Sequence, residues 1–229
     1  MKLKYSVVAA FLAISVWGSS DAEADIIDII SEAGTTCILE LGSGLAGDPC
    51  VTEEIGPHSL WQGNDPNPPG YGGVWVSYAD TGVDGETLAP RDREGPIFTI
   101  VESFTIDSAG SIDFWIWADD TADVYFNLDS AAAPELVFRA NFFQDICADG
   151  SIGCEPDEYF NLARDLAAGT YDITISVYQL GFGTTPANNP FGVLYSGRVT
   201  TVVPEPGTLA LFGAGLLGLG LARRRKIKV

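Results

Sequence analysis

Carboxylates crowd into two short stretches of the sequence. The residues are Asp119, Asp120 and Asp123 in the first stretch, and Asp145, Asp149 and Asp157 in the second. Calcium binds roughly six to eight oxygen ligands, which carboxylates and loop carbonyl groups can supply. The run 145–151 in the second stretch does not match the spacing of an EF-hand loop. Acids are also expected on the solvated surface of a strongly acidic chain, so a Ca²⁺ site and a solvated acidic surface remain as alternatives.

Aromatic residues give the sequence a second candidate chemistry, which is sugar binding. Exposed rings stack on sugar rings, while carboxylates and amides hydrogen-bond to hydroxyl groups. The candidate rings are Trp61, Trp75, Tyr78, Trp115 and Trp117. Core packing is the alternative for each ring, because large aromatic side chains commonly fill protein interiors.

Hydrolytic chemistry has no distinctive motif in this chain. A Ser-His-Asp arrangement would have to use His58, the sole histidine, and no nucleophile elbow accompanies it. No pair of acids stands out from the rest as the acid and base of a glycosidase. The sequence therefore predicts that the protein is not an enzyme.

Four cysteines, Cys37, Cys50, Cys147 and Cys154, lie in two local pairs. Four cysteines allow three connectivities, and the favoured disulfides are 37–50 and 147–154, since each would close a loop that contains Gly or Asp. Zinc binding is the alternative, but the chain lacks Cys-x-x-Cys spacing and has one histidine. Disulfides indicate an oxidising compartment.

Strands must position these residues, because apolar residues in the middle of the chain alternate with a period of two. One alternating set is Phe98, Ile100, Phe104 and Ile106, and the next is Ile112, Phe114, Ile116 and Ala118. About seven such strands without a βαβ rhythm predict an all-β fold, an antiparallel β-sandwich or jelly roll. Short helices are predicted at 25–32 and 159–166.

The charge of the chain is divided by position. The whole chain has a net charge of -19, but residues 25–203 hold 28 acidic residues against five basic ones, a net charge of -23. Binding to phosphate backbones needs a basic face. The sequence therefore predicts no nucleic-acid partner.

Residues 1–24 have the pattern of a secretory signal peptide. Lys2 and Lys4 precede the apolar run 7–17, and Ala22-Glu23-Ala24 fits the small-x-small cleavage rule. This pattern predicts export through the Sec translocon and cleavage by signal peptidase. An uncleaved membrane anchor is the alternative, although the apolar run is short for a bilayer span.

Residues 204–229 contain three consecutive elements. Pro204, Glu205 and Pro206 come first, the apolar segment 208–222 follows, and a cluster of Arg and Lys ends the chain. Fifteen helical residues span about 22 Å, and snorkelling arginines cover part of the remaining hydrocarbon thickness. The pattern predicts a single transmembrane helix with its basic end in the cytoplasm.

This tail resembles the PEP-CTERM sorting signal of Gram-negative bacteria, over roughly the last 26 residues. The resemblance implies an exosortase as partner, which would cut near Pro204-Glu205-Pro206. It implies transient anchoring in the inner membrane, then a cell-surface or extracellular location. It also implies association with exopolysaccharide and biofilm.

Two other segments, 75–82 and 117–127, resemble the galactose-binding-domain-like β-sandwiches of exported bacterial proteins. The second segment reads Ala-Asp-Asp-Thr-Ala-Asp-Val-Tyr over 118–125. The resemblance covers about residues 58–200. It implies a β-sandwich, in a fold class where carbohydrate binding is frequent but not universal.

Together these patterns predict four segments. They are a signal peptide at 1–24, an N-terminal extension with a disulfide at 25–57, a β-sandwich ectodomain at 58–203 and a sorting tail at 204–229. The predicted function is that of an exported, non-enzymatic surface or matrix protein processed by exosortase. The alternative is a lectin-like carbohydrate-binding module, with or without Ca²⁺.

Overall fold

The computed structural model describes residues 24–40, 44–92, 94–128, 133–140, 142, 152–202, 213, 215 and 216. The chain divides into two units, one formed by Ala24–Val202 and the other by Met1–Glu23 and Val203–Val229. In the second unit the described residues Gly213, Gly215 and Leu216 are helical. The predicted signal peptide lies outside the described residues, except for Ala24, as do Pro204, Glu205 and Pro206. No helix among the described residues is long and apolar enough to cross a membrane.

Twelve strands form among the described residues of Ala24–Val202. They are β1 (Ile26–Ile30), β2 (Thr36–Leu39), β3 (Pro49–Val51), β4 (Glu53–Glu54), β5 (Val76–Ser77), β6 (Phe98–Ile106), β7 (Gly110–Asp119), β8 (Thr121–Leu128), β9 (Glu135–Phe138), β10 (Phe160–Leu166), β11 (Gly169–Tyr178) and β12 (Gly192–Thr201). A 3₁₀ turn at Pro186–Asn188 precedes β12. The predicted all-β class is confirmed.

The strands form two antiparallel sheets. The first sheet has the order β10-β7-β12-β5-β4, with β1 also paired to β12, and the second has the order β3-β2-β6-β11-β8-β9. The longest ladder of the first sheet joins β7 to β12, from Gly192 opposite Asp119 to Thr201 opposite Gly110. In the second sheet, β11 pairs with β6 on one side and β8 on the other. The predicted β-sandwich is therefore confirmed.

One large apolar core lies between the sheets. Its members include the alternating residues of β6 and β7, namely Phe98, Ile100, Phe104, Ile106, Ile112, Phe114, Ile116 and Ala118. Phe98 meets Phe191 edge to face, with ring centroids 5.7 Å apart, a favoured arrangement of aromatic rings. Burial of this apolar surface is the main source of stability.

The two predicted helices are wrong, because segments 25–32 and 159–166 contain strands β1 and β10. In β10, Phe160, Leu162 and Leu166 recur at even positions, and the strand pairs with β7. This is the period of a strand. The segment predicted as an N-terminal extension, 25–57, also supplies strands to both sheets, since β1 pairs with β12 and β2 pairs with β6.

The predicted disulfide between Cys37 and Cys50 is confirmed, with Cα atoms 4.8 Å apart. The two residues face each other across β2 and β3. The bond therefore fastens the three-residue edge strand β3 to the rest of the second sheet. Cys154 is also disulfide-bonded, while Cys147 lies outside the described residues.

Candidate functional site

At one end of the sandwich the chain crosses twice from one sheet to the other. One connection leads from β7 through Asp120 to β8, and the other leads from β11 through residues 179–191 to β12. The two connections lie side by side, since the Asp120 amide donates to the Tyr178 carbonyl over 3.1 Å. Backbone groups leave their ladders here and need new partners.

The Asp120 carboxylate supplies such partners. Its Oδ2 atom accepts hydrogen bonds from the amides of Leu180 and Gly181, the latter over 2.8 Å. The side chain is buried, so these bonds form where water does not compete. Asp120 therefore fixes the start of the 179–191 connection against the end of β7.

A cavity of about 480 Å³ opens at this end of the sandwich. Four connections line it, and the lining residues are His58, Leu60, Trp61, Asp119, Asp120, Cys154, Gly181, Phe182, Gly183, Ala187, Asn188, Asn189 and Pro190. We call this cavity the loop-end pocket. Its size lies within the usual range for small-molecule sites, roughly 300–1,000 Å³.

Two adjacent carboxyl groups lie in the loop-end pocket, and their environments differ. Burial raises the pKa of Asp119 well above its usual range, the nearby charge of Asp120 and a hydrogen bond between the two carboxyls raise it further, and a hydrogen bond with Trp61 opposes the rise. Burial also raises the pKa of Asp120, but hydrogen bonds from Asp119, Leu180 and Gly181 counteract it. The pKa of Asp119 is therefore raised more than that of Asp120.

The predicted aromatic residues occupy different places. Trp61 lines the loop-end pocket, and its ring centroid lies 4.2 Å from that of Trp75. Trp75 and Trp117 are fully buried, so neither offers a ring face to a ligand and both are corrected to core residues. Their indole N–H groups donate to the carbonyls of Gln62 and Pro156.

Tyr78 and Trp115 lie outside the pocket. Tyr78 packs against the main core beside Phe98. Trp115 is half-buried in the first sheet, where its Nε1 donates to Asp113 over 2.9 Å and its ring lies 4.4 Å from that of Tyr159.

The ring that sequence reasoning missed is Phe182, which lines the pocket and is 66% exposed. An aromatic residue between Gly181 and Gly183 was the signal for it, because glycines permit tight loops that present a side chain to solvent. Phe182 supplies the exposed face that Trp75 and Trp117 lack.

The predicted calcium ligands are only partly brought together. Asp119 and Asp120 share the pocket, whereas Asp123 accepts hydrogen bonds from the Ala140 amide over 2.6 Å and from the Tyr178 hydroxyl over 3.0 Å. Asp157 is exposed, and residues 145 and 149 lie outside the described residues. Within the described ranges, no three His, Cys, Asp or Glu side chains form a metal-binding group.

Amide oxygens in the loop-end pocket could complement the two carboxyls. Asn188 and Asn189 line the same cavity, and a Cβ atom on Gly181 would overlap Asn189 Oδ1. The Gly181 amide is also bound by Asp120, so Asn189 and Asp120 converge on one glycine. Carboxylate and amide oxygens are donors that calcium prefers, so these side chains have the chemistry of calcium ligands.

The C-terminal segment matches a known family. Residues 202–226 match the PEP-CTERM protein-sorting motif. The chain therefore carries the sorting signal of an exported, C-terminally anchored protein, and exosortase is its implied processing partner. Among curated proteins, none matches this sequence.

The structure is similar to carbohydrate-binding β-sandwiches of low sequence identity. A family 35 carbohydrate-binding module from Clostridium thermocellum is 10% identical with a TM-score of 0.32, covering 77% of this chain and 99% of that one. A module of Cellvibrio mixtus lichenase 5A, solved with cellotriose, is 14% identical with a TM-score of 0.26, covering 66% and 96%. Podospora anserina GH26-CBM35 β-(1,4)-mannanase is 16% identical with a TM-score of 0.33, covering 79% and 28%. With such low TM-scores, these similarities support no conclusion about the ligand of this chain.

Proposed function

We propose that the exported domain is a non-enzymatic carbohydrate-binding module whose ligand enters the loop-end pocket. The observation that carries this proposal is the joint presence of two buried carboxyls and the exposed ring of Phe182 around one cavity of about 480 Å³. Sugars present hydroxyl groups at their edges and apolar C–H faces, which suit carboxyl oxygens and an aromatic ring respectively.

The pocket residues have separate tasks in this proposal. Asp119 and the Asn188 and Asn189 amides hydrogen-bond to sugar hydroxyls, while Phe182 stacks on the sugar face. Asp120 already uses one carboxylate oxygen to hold Leu180 and Gly181. It therefore positions the wall of the pocket as well as contributing charge.

Calcium is part of the proposal. Asp119, Asp120 and Asn189 would hold the ion, which when bound would neutralise the paired carboxyls and offer coordination positions to ligand oxygens. The ion needs further oxygens, which backbone carbonyls of the connections and the ligand can provide.

The sorting signal sets the location in the same proposal. Exosortase cleaves the tail of a Gram-negative inner-membrane precursor, and the acidic domain then works at the cell surface or in the exopolysaccharide matrix of a biofilm. The net charge of -23 over residues 25–203 keeps such a domain hydrated and soluble.

Binding of the full chain to immobilised polysaccharides tests the function. Phe182→Ala should weaken binding about tenfold, because a stacking face is lost from an exposed position where folding is not disturbed. Val101→Ala is the matched control, since Val101 is 45% exposed on β6 in the second sheet. Removing calcium with a chelator should weaken the wild type as well.

Two results would contradict the proposal. If no polysaccharide binds the wild type with calcium present, carbohydrate binding is wrong. If a polysaccharide binds and Phe182→Ala matches Val101→Ala, the ligand does not use the loop-end pocket. Glycan cleavage by the purified chain would overturn the non-enzymatic assignment.

A further inference from the structure

Arg91 is tied to the wall of the loop-end pocket. Its Nε donates to the Leu180 carbonyl over 2.6 Å, and its guanidinium carbon lies 3.7 Å from the centroid of the Phe182 ring. The Leu180 amide is held by Asp120 from the other side. Arg91 thus lies beside Phe182, which lines the pocket, and we call this position the rim of the pocket.

Among the described residues Arg91 forms no salt bridge, in contrast with two other arginines. Arg164 pairs with Glu135 at 3.0 Å and Arg198 pairs with Asp28 at 2.6 Å. Arg91 is exposed and has no carboxylate within 4.0 Å among the residues that the structure describes.

Asp92, the acid next to Arg91 in sequence, has another partner. The carboxylate of Asp92 accepts the Glu94 amide over 2.7 Å. The field of Arg91 reaches Asp120, where it favours the ionised carboxyl. The guanidinium therefore remains available at the rim, held in a fixed orientation by the ring of Phe182 and the Leu180 carbonyl.

We infer that Arg91 is a specificity-determining residue that selects glycans bearing a carboxylate, such as a uronic acid unit, in the loop-end pocket. This inference rests on the proposed carbohydrate function and names the charge class of its ligand. A guanidinium binds a carboxylate through two parallel N–H donors. Stacking on Phe182 leaves the edge of the guanidinium free for such a ligand while one of its faces is covered.

The net negative charge of the domain does not prevent this selection. At physiological ionic strength charges separated by more than about 8 Å are largely screened. A ligand carboxylate at the rim therefore responds to Arg91 more than to the acids elsewhere on the surface. A calcium ion in the pocket would also attract the ligand carboxylate.

The experiment is calorimetric titration of the full chain with two matched probes, trigalacturonate and neutral galactotriose, in calcium at about 0.15 M salt. The wild type should bind trigalacturonate about tenfold more tightly than galactotriose, the ratio expected for one charge-assisted contact. Arg91→Gln should abolish this preference and change galactotriose binding less than about twofold. Arg91→Lys keeps the charge and should retain part of the preference.

Arg164→Gln is the control, because Arg164 is an arginine remote from the pocket, and it should leave both affinities unchanged. Equal weakening of both probes by Arg91→Gln would mean that Arg91 only fastens the 180–182 segment, which overturns the inference. Tighter or equal binding of galactotriose by the wild type would overturn it while leaving the proposed function intact. Failure of both probes to bind would overturn the inference and count against the proposed function together.

Discussion

Glu102 is an acid on the inward face of a core strand. It lies between Ile100 and Phe104 on β6, and the Tyr195 hydroxyl of β12 donates to its carboxylate. Burial raises the pKa of Glu102, a hydrogen bond from Tyr195 opposes the rise, and the charge of Glu32 adds to it. Because β6 and β12 belong to different sheets, this pair joins the two layers at a polar point within the core.

The pH dependence of stability should carry the signature of Glu102. Its pKa in the fold is above the ordinary value of 4.5, so its ionisation opposes folding, and stability falls as pH rises from 4.5 through the folded pKa. Glu102→Gln should therefore gain stability relative to the wild type as pH rises through this window, measured by denaturant unfolding. Parallel pH curves for the two proteins would contradict this assignment.

Glu135 gives a control of opposite sign. A hydrogen bond from Arg164, then its charge, lowers the pKa of Glu135. Its small contribution to stability is present above the ordinary value of 4.5 and is lost as pH falls through the folded pKa. Glu135→Gln should therefore be slightly less stable than the wild type at neutral pH, and this difference should vanish in acid.

At the scale of elements, short strands depend on covalent or tertiary support. β3 has three residues and lies at the edge of the second sheet. Three residues form too few ladder bonds to hold a strand alone. The Cys37–Cys50 bond supplies the support that length does not.

Removing this bond should destabilise the domain. The sequence separation is 13 residues, and loop-closure entropy for a loop of about that size is worth about 3 kcal/mol. Cys37→Ala combined with Cys50→Ala should lower the free energy of unfolding by about 2–4 kcal/mol. Val51→Ala, a neighbouring exposed position in β3, should change it by less than about 0.5 kcal/mol. A double variant as stable as Val51→Ala would show that the edge strand holds without the bond.

Local patterns predicted much of the fold and less of the site. The period-two alternation of β6 and β7 identified their buried faces. The helix predicted at 25–32 is wrong because the Ile and Asp residues there suit either a helix or a strand. Pairing with β12 decides for the strand. The sequence does not decide whether Trp75 and Trp117 are core residues or ligand-binding residues. A single sequence does not show which side of a two-layered structure a ring faces.

The loop-end pocket needed the folded chain. Asp119 and Asp120 were recognised as chemically distinctive, but Phe182 and Arg91 lie far from them in sequence. The hydrogen bonds of Leu180 and Gly181 to Asp120 bring them together. These residues come together because the chain crosses twice from one sheet to the other. Local sequence patterns do not predict such crossings.

At the scale of the whole molecule, the basic residues of the two ends contrast with the acidic middle. Lys2, Lys4 and the terminal Arg and Lys cluster flank apolar runs outside Ala24–Val202. The sorting motif at 202–226 follows the last strand directly. Processing at both ends would therefore leave the sandwich intact and leave a protein with a more negative net charge than the whole chain.

Intact-mass measurement of the extracellular protein checks this processing. The mature protein should begin at Asp25 and lack the residues that follow the Pro204-Glu205-Pro206 motif. Replacement of Glu205 by Ala should reduce release, and the precursor should accumulate in the membrane fraction. A mature protein with Val229 at its end would contradict processing of the tail.

Strand β12 gives the sandwich a defined direction of mechanical load. It begins at Gly192 beside the loop-end pocket and ends ten residues later at Thr201, a distance of about 33 Å. A ligand held in the pocket and a chain held after Val202 would pull on opposite ends of this strand. The ladders from β12 to β7 and β1 would then be stretched along their length, so many hydrogen bonds would resist the force together rather than open one at a time.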